Sequence, residues 1–182
     1  MTGSPSRPAL GRVLFVSAFF IATCGLVYEL IAGAMSSYLL GNSVTQFSLV
    51  IGAYLSAMGV GSWLSRYIER DLLSRFVEIE LAVALLGGFE AVVLFGAFAY
   101  SASFRLALFA WIGLVGILVG LELPLILRIL REDSSLKDLI ARVLFLDYFG
   151  ALAASLAFPL LLVPYLGLFR TGLFFGMINA SL

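Results

Sequence analysis

From Val13 to about Leu40 the chain runs almost entirely apolar, and comparable stretches follow over residues 44–64, 76–100, 106–127 and 142–163. A helix of roughly 20 apolar residues matches the ~30 Å hydrocarbon core of a bilayer. Water is a poor solvent for so much of this surface. The chain is 62% hydrophobic and 12% charged, with a mean hydropathy of +1.11, whereas a soluble domain is nearer half apolar and about a quarter charged. The expected fold class is an all-α integral membrane domain, a bundle of about six transmembrane helices.

The domain organisation follows from the same runs. Residues 1–12 read as a polar cytoplasmic tail and 13–182 as one membrane domain, with helices at about 13–40, 44–64, 76–100, 106–127, 142–163 and 169–182. A cleavable signal peptide is the rival reading for the first run, because Arg7 and Arg12 precede it and Ala32-Gly33-Ala34 resembles a cleavage site. The run is too long for a signal core and carries Glu29, so a retained helix is preferred. Ser43-Val44-Thr45-Gln46 has the spacing of a capping box at the start of the second helix. Pro164 and Gly167 are expected to break the fifth. The last segment, Phe169 to Leu182, covers only about 21 Å at 1.5 Å per residue, so it is read as a truncated span, with a longer parent protein continuing beyond Leu182.

Placement of the basic residues sets orientation. Arg7 and Arg12 precede the first helix, Arg66, Arg70 and Arg75 follow the second, and Arg128, Arg131, Lys137 and Arg142 follow the fourth, leaving only Arg105 and Arg170 on the opposite side. This asymmetry expects a cytoplasmic N-terminus in a multi-pass protein of the cell (plasma) membrane. The lipid bilayer is then the first partner, and nothing in the sequence requires a nucleic-acid partner.

Four carboxylates fall within the apolar runs: Glu29, Glu90, Glu122 and Asp147. An acidic residue at mid-bilayer costs about 2.5 to 3.5 kcal/mol on insertion scales, against about 0.3 to 0.6 returned by each large aliphatic residue. Such groups face a bundle interior, and they define a candidate intramembrane polar site with Tyr28 beside Glu29. A cation-binding or proton-coupled cavity is the functional reading. Protonation or bonding to a neighbouring helix is the structural one, with Asp147 able to meet Arg142. Glu29 and Glu122 stand together because first and fourth helices are equivalents in inverted-repeat transporters.

Small residues recur at helix-packing spacing: Gly116 and Gly120, then Gly52, Ser56 and Gly59, then Gly150, Ala151 and Ala154 on the face of Asp147. Gly59-x-Gly61 lacks the third glycine and the preceding strand of a dinucleotide fingerprint. Pro124, two residues beyond Glu122, should kink the fourth helix or free a carbonyl near that carboxylate. With no histidine and one cysteine, Cys24, neither a zinc site of the usual kind nor an intrachain disulfide is available. No metal or cofactor is expected in this chain. Serines lack the usual base, and Lys137 lies in a turn, so the residues alone do not define an enzyme.

Six local patterns carry a family likeness: Leu26-Val27-Tyr28-Glu29, Tyr38-Leu39-Leu40-Gly41-Asn42-Ser43, Gly59-Val60-Gly61-Ser62, Glu122-Leu123-Pro124, Asp147-Tyr148-Phe149-Gly150-Ala151 and Leu166-Gly167-Leu168. In this order the chain resembles the N-terminal transmembrane region of membrane-bound spermidine synthase-like proteins, the polyamine aminopropyltransferase family. The resemblance implies a parent transferase of polyamine biosynthesis, which moves an aminopropyl group from decarboxylated S-adenosylmethionine to an amine. Its glycine-rich loop and catalytic aspartates have no match here, so no catalytic residue is carried over. The chain is then expected to anchor a cytosolic catalytic domain beyond Leu182 and to bind polyamine. Two alternatives stand beside it. One is half of a major-facilitator-type secondary transporter, also a six-helix unit; the other is a non-catalytic scaffold forming a homo-oligomer through its glycine faces.

Overall fold

The computed structural model describes residues 7–100, 103–131 and 136–182. The start of the expected tail, residues 1–6, and the turn residues Glu132 and Asp133 lie outside them, as do the side chains of residues 7–10 and 12. Every regular element among the described residues is helical: α1 (Arg7–Leu40), α2 (Ser43–Leu64), α3 (Leu72–Gly88), α4 (Glu90–Tyr100), α5 (Phe104–Leu130), α6 (Leu136–Ala157) and α7 (Val163–Ala180). A 3₁₀ turn at Ser65–Tyr67 closes α2, and a π-helical stretch at Phe158–Leu162 joins α6 to α7. Four helical stretches are long and apolar enough to cross a membrane, and a fifth is added if α3 and α4 count as one bent span.

The turns depart from expectation for local reasons. Gly41 and Asn42 both adopt positive φ, 72° and 49°, which reverses the chain between α1 and α2. Asn42 caps α2, its side-chain oxygen accepting from the Thr45 amide at 3.4 Å. The expected Ser43–Gln46 capping box does not form, because Gln46 is turned inward and its Oε1 accepts from buried Ser36 Oγ at 3.0 Å. That bond ties α2 to α1 instead.

The third span is not one continuous helix over 76–100. It begins at Leu72 and bends by 49° between α3 and α4, at Phe89. Gly87 and Gly88 precede the bend, and glycine pairs are a recognised cause of sharp kinks. Both are also required by contact: the Tyr28 ring lies on Gly87, and a Cβ on Gly88 would stand 3.1 Å from the Gly176 Cα. The fifth span likewise starts earlier, at Leu136, and is not broken at Pro164. Pro159 and Pro164 lie in and just after the π-helical stretch Phe158–Leu162, where wider bonding, such as that from the Val163 N–H to the Phe158 carbonyl, carries the helix past them. The interruption comes at Gly167, with φ 71° and ψ 172°. The helical residues beyond it, 168–180, reach about 20 Å.

Packing is reciprocal. α2 lies along α5 as α1 lies along α6, and α3 lies along α7. α1 also meets α2, α4, α5 and α7, and Cys24, Val27, Tyr28, Ile31 and Ala32 on it are fully buried. A helix surrounded in this way needs apolar residues on all sides. At the end carrying most basic residues, Arg128 Nη1 donates to the Ser65 carbonyl at 2.9 Å and the Arg66 guanidinium sits 4.0 Å over Trp63. Arg75 pairs with Glu78 at 2.7 Å.

Candidate functional site

α1, α2, α5 and α6 leave a cavity of about 370 Å³ between them, within the roughly 300–1,000 Å³ usual for small-molecule pockets. Its walls come from Ala18 to Glu29, Tyr54 to Ser62, Val119 to Ile126, and Asp147 with Ala151. Helical spacing brings the polar groups together: Gly25 and Glu29 are one turn apart on α1, as are Gly120 and Pro124 on α5, with Glu122 between.

Three of the expected site residues meet here. Glu29 is 8% exposed, Glu122 is 1% exposed with Oε1 unpartnered, and Asp147 is half-buried. Among the described residues no arginine or lysine lines the cavity. Asp147 does not pair with Arg142. Five residues of helix turn the two side chains apart, and Arg142 lines a shallow outer groove with Phe15 and Phe145. Tyr54 Oη donates to the Gly25 carbonyl at 3.0 Å, bracing α2 against α1. Pro124 has no N–H to offer the Gly120 carbonyl, so the cavity wall contains a main-chain acceptor without its helical donor.

Glycines set how closely these walls approach. A Cβ on Gly120 would overlap the Met58 backbone, one on Gly150 the Phe19 carbonyl, and one on Gly116 would stand 2.8 Å from Ala57 Cβ. Gly61, not singled out from the sequence, would strike the Ile117 carbonyl. Gly52 and Gly59 instead have nothing within 4 Å of a Cβ. The buried face of α2 is Gln46, Val50, Tyr54, Ala57 and Gly61, and the expected Gly52-Ser56-Gly59 packing stripe points away from it. Ser56 Oγ donates to the Gly52 carbonyl at 2.7 Å within the helix.

Glu90 and Tyr28 do not join the cavity. Glu90 opens α4, 1% exposed with Oε2 unpartnered, and Tyr28 is fully buried against Gly87 with its hydroxyl unpartnered. Glu80 is a buried carboxylate that sequence reading passed over. It is 4% exposed with neither oxygen hydrogen-bonded, beside Asn179, whose Nδ2 donates to the Glu80 carbonyl at 3.2 Å. The signal was present in the series Phe76, Ile79, Glu80, Val83, Ala84, Gly87, which forms the buried face of α3. Among the described residues no three His, Cys, Asp or Glu side chains cluster as a metal site.

Fold and cavity together define the class: an all-helical bundle with an interior cavity lined by Glu29, Glu122 and Asp147. Comparison with known proteins narrows this further. Over its whole length the chain is 55% identical, across 186 residues, to polyamine aminopropyltransferase 1 of Ralstonia nicotianae. It is 54% identical over 168 residues to the polyamine aminopropyltransferase of Leptospira interrogans, covering 92% of this chain. To polyamine aminopropyltransferase 2 of Streptomyces coelicolor it is 39% identical over 191 residues, covering 97% of this chain. Its homologues are thus polyamine aminopropyltransferases, and the chain spans about a third of their length, 34 to 35%. No family model and no solved structure matches it.

Proposed function

We propose that this chain is the membrane domain of a polyamine aminopropyltransferase, holding a catalytic domain at the cytosolic face of the cell membrane and binding a cationic amine in its acidic cavity. One observation carries the binding reading: Glu29, Glu122 and Asp147 converge from three helices on a cavity without a basic residue. Such a site favours cations and disfavours anions. The names of the homologues supply the class of amine. Transfer chemistry is assigned to the part of the relatives that this chain does not cover, since no nucleophile–base pair is evident in the cavity.

Isothermal titration of the chain in lipid nanodiscs with spermidine tests the cavity. Glu29→Gln, Glu122→Gln together should weaken binding at least tenfold; unchanged affinity removes the binding role and leaves anchoring. Anchoring is tested by topology reporters, which should be cytoplasmic at the N-terminus and after Arg70 and Arg131.

Half of a secondary transporter remains a second reading because of the reciprocal packing. α1-α2-α3 and α5-α6-α7 meet through matching pairs, as three-plus-three inverted repeats do. Spermidine flux into proteoliposomes by this chain's full-length parent would favour it.

A further inference from the structure

We propose that the cavity takes up a cationic amine in exchange for a proton, and that Glu122 is the group that gives the proton up. The inference rests on the amine-binding reading above and adds the exchange. Glu122 is the most enclosed of the three lining carboxyls and has one oxygen without any partner. Its titratable neighbours among the described residues come from four other helical faces: Cys24, Tyr28 and Glu29 on α1, Tyr54 on α2, Glu80 on α3 and Asp147 on α6. None of these carries positive charge in any protonation state. An ionised Glu122 in the empty cavity is therefore an uncompensated charge, which a buried site avoids by holding the proton.

An ammonium group reverses that balance. The cation compensates one carboxylate, so the Glu122 O–H bond breaks, its electron pair stays on the carboxylate oxygen, and the proton leaves to bulk water. Charge and atoms balance as one ammonium in and one proton out. Two features suit Glu122 to this role over the other carboxyls. The Gly120 carbonyl, deprived of its helical donor by Pro124, lies on the same wall and can accept from the ammonium. Asp147 lies within electrostatic reach of Glu122 and is half-buried rather than enclosed, which provides a hydrated step for the departing proton. Glu80 is also within electrostatic reach but does not line the cavity, so it does not meet the ammonium.

The test is titration of the nanodisc-embedded chain with spermidine in buffers of unlike ionisation enthalpy, repeated from pH 6 to 8. About one proton should be released per spermidine bound, and affinity should fall about tenfold for each unit of pH lowered while the free carboxyl is protonated. Glu122→Gln should abolish the release and flatten the pH dependence, whereas Glu90→Gln should change neither. Infrared difference spectra of the unmutated chain give a check that needs no variant: spermidine should bleach a protonated-carboxyl band. Binding with no proton release and no bleach overturns the exchange and leaves amine binding standing. Failure of spermidine to bind the unmutated chain overturns both.

Discussion

Gly120→Ala adds one methyl group where α5 crosses α2, and its effect can be worked from the contact. The new Cβ would stand 2.7 Å from Met58 Cα and 2.8 Å from Met58 C, with the Met58 carbonyl oxygen closer still. These are backbone atoms, so no rotamer change relieves the overlap. Restoring an ordinary 3.4 Å contact to Met58 Cα moves the helices apart by about 0.7 Å, and clearing the carbonyl oxygen takes more. A gap of that size forfeits about a quarter to a half of each dispersion contact it opens, and overpacking of this kind typically costs about 1–3 kcal/mol. The intrinsic gain of alanine over glycine in a helix, about 1 kcal/mol, opposes it, leaving a net loss of up to about 2 kcal/mol, toward the upper end because the overlap is with backbone. Gly52→Ala on the same pair of helices keeps only the gain, because nothing lies within 4 Å of its Cβ. Denaturation of the purified chain in mixed micelles, followed by far-ultraviolet circular dichroism, measures both. Equal stability of Gly120→Ala and the unmutated chain would refute the claim that the α2–α5 approach is set by this glycine.

Ser36→Ala should cost about 1 kcal/mol in the same assay by leaving buried Gln46 Oε1 without its donor, and a double-mutant cycle with Gln46→Ala should return a favourable coupling. Asn42→Ala should destabilise by about 1 kcal/mol, losing the cap and straining a φ of 49°, while Asn42→Gly should stay within a few tenths because glycine accepts that φ. Arg128→Ala should raise amide exchange in the α2–α5 junction, since it removes the donor to the Ser65 carbonyl; exchange confined to the basal rate there would count against this tie.

The helical class and the approximate spans were legible because apolar run length has a simple relation to helix length. Which face of a helix turns inward was much less so. In a water-soluble bundle the outer face is polar and periodicity points to the core, but α2 shows no such contrast. Its buried Val50, Tyr54 and Ala57 are no more apolar than its exposed Leu49, Ile51 and Leu55. Spacing alone therefore put Gly52 and Gly59 in a packing stripe, although the interface belongs to Gly61 on the opposing side. Inward-facing polar residues were the better guide, as Gln46 and Glu80 show, yet Gln46 was read as a helix cap and Glu80 was passed over. Their helices begin earlier than the first wholly apolar residue.

Breaks in the helices were partly legible, and their positions matter more for the cavity than their presence. Proline was expected to interrupt the chain at Pro164, yet the helix runs on through Pro159 and Pro164 by way of a π-helical stretch. Pro124 sits in the middle of α5, so its missing donor cannot be absorbed in that way. The resulting free acceptor falls one turn before it, at Gly120, whose lack of a side chain also admits α2. One short segment, Gly120 to Pro124, thus combines close helix approach, an unpaired carbonyl and the most enclosed carboxyl of the cavity. None of these three features requires the others for folding. Glycine alone would bring α2 to α5, and a leucine in place of Glu122 would pack at less cost, so their coincidence at one turn is what the proposed amine site would account for.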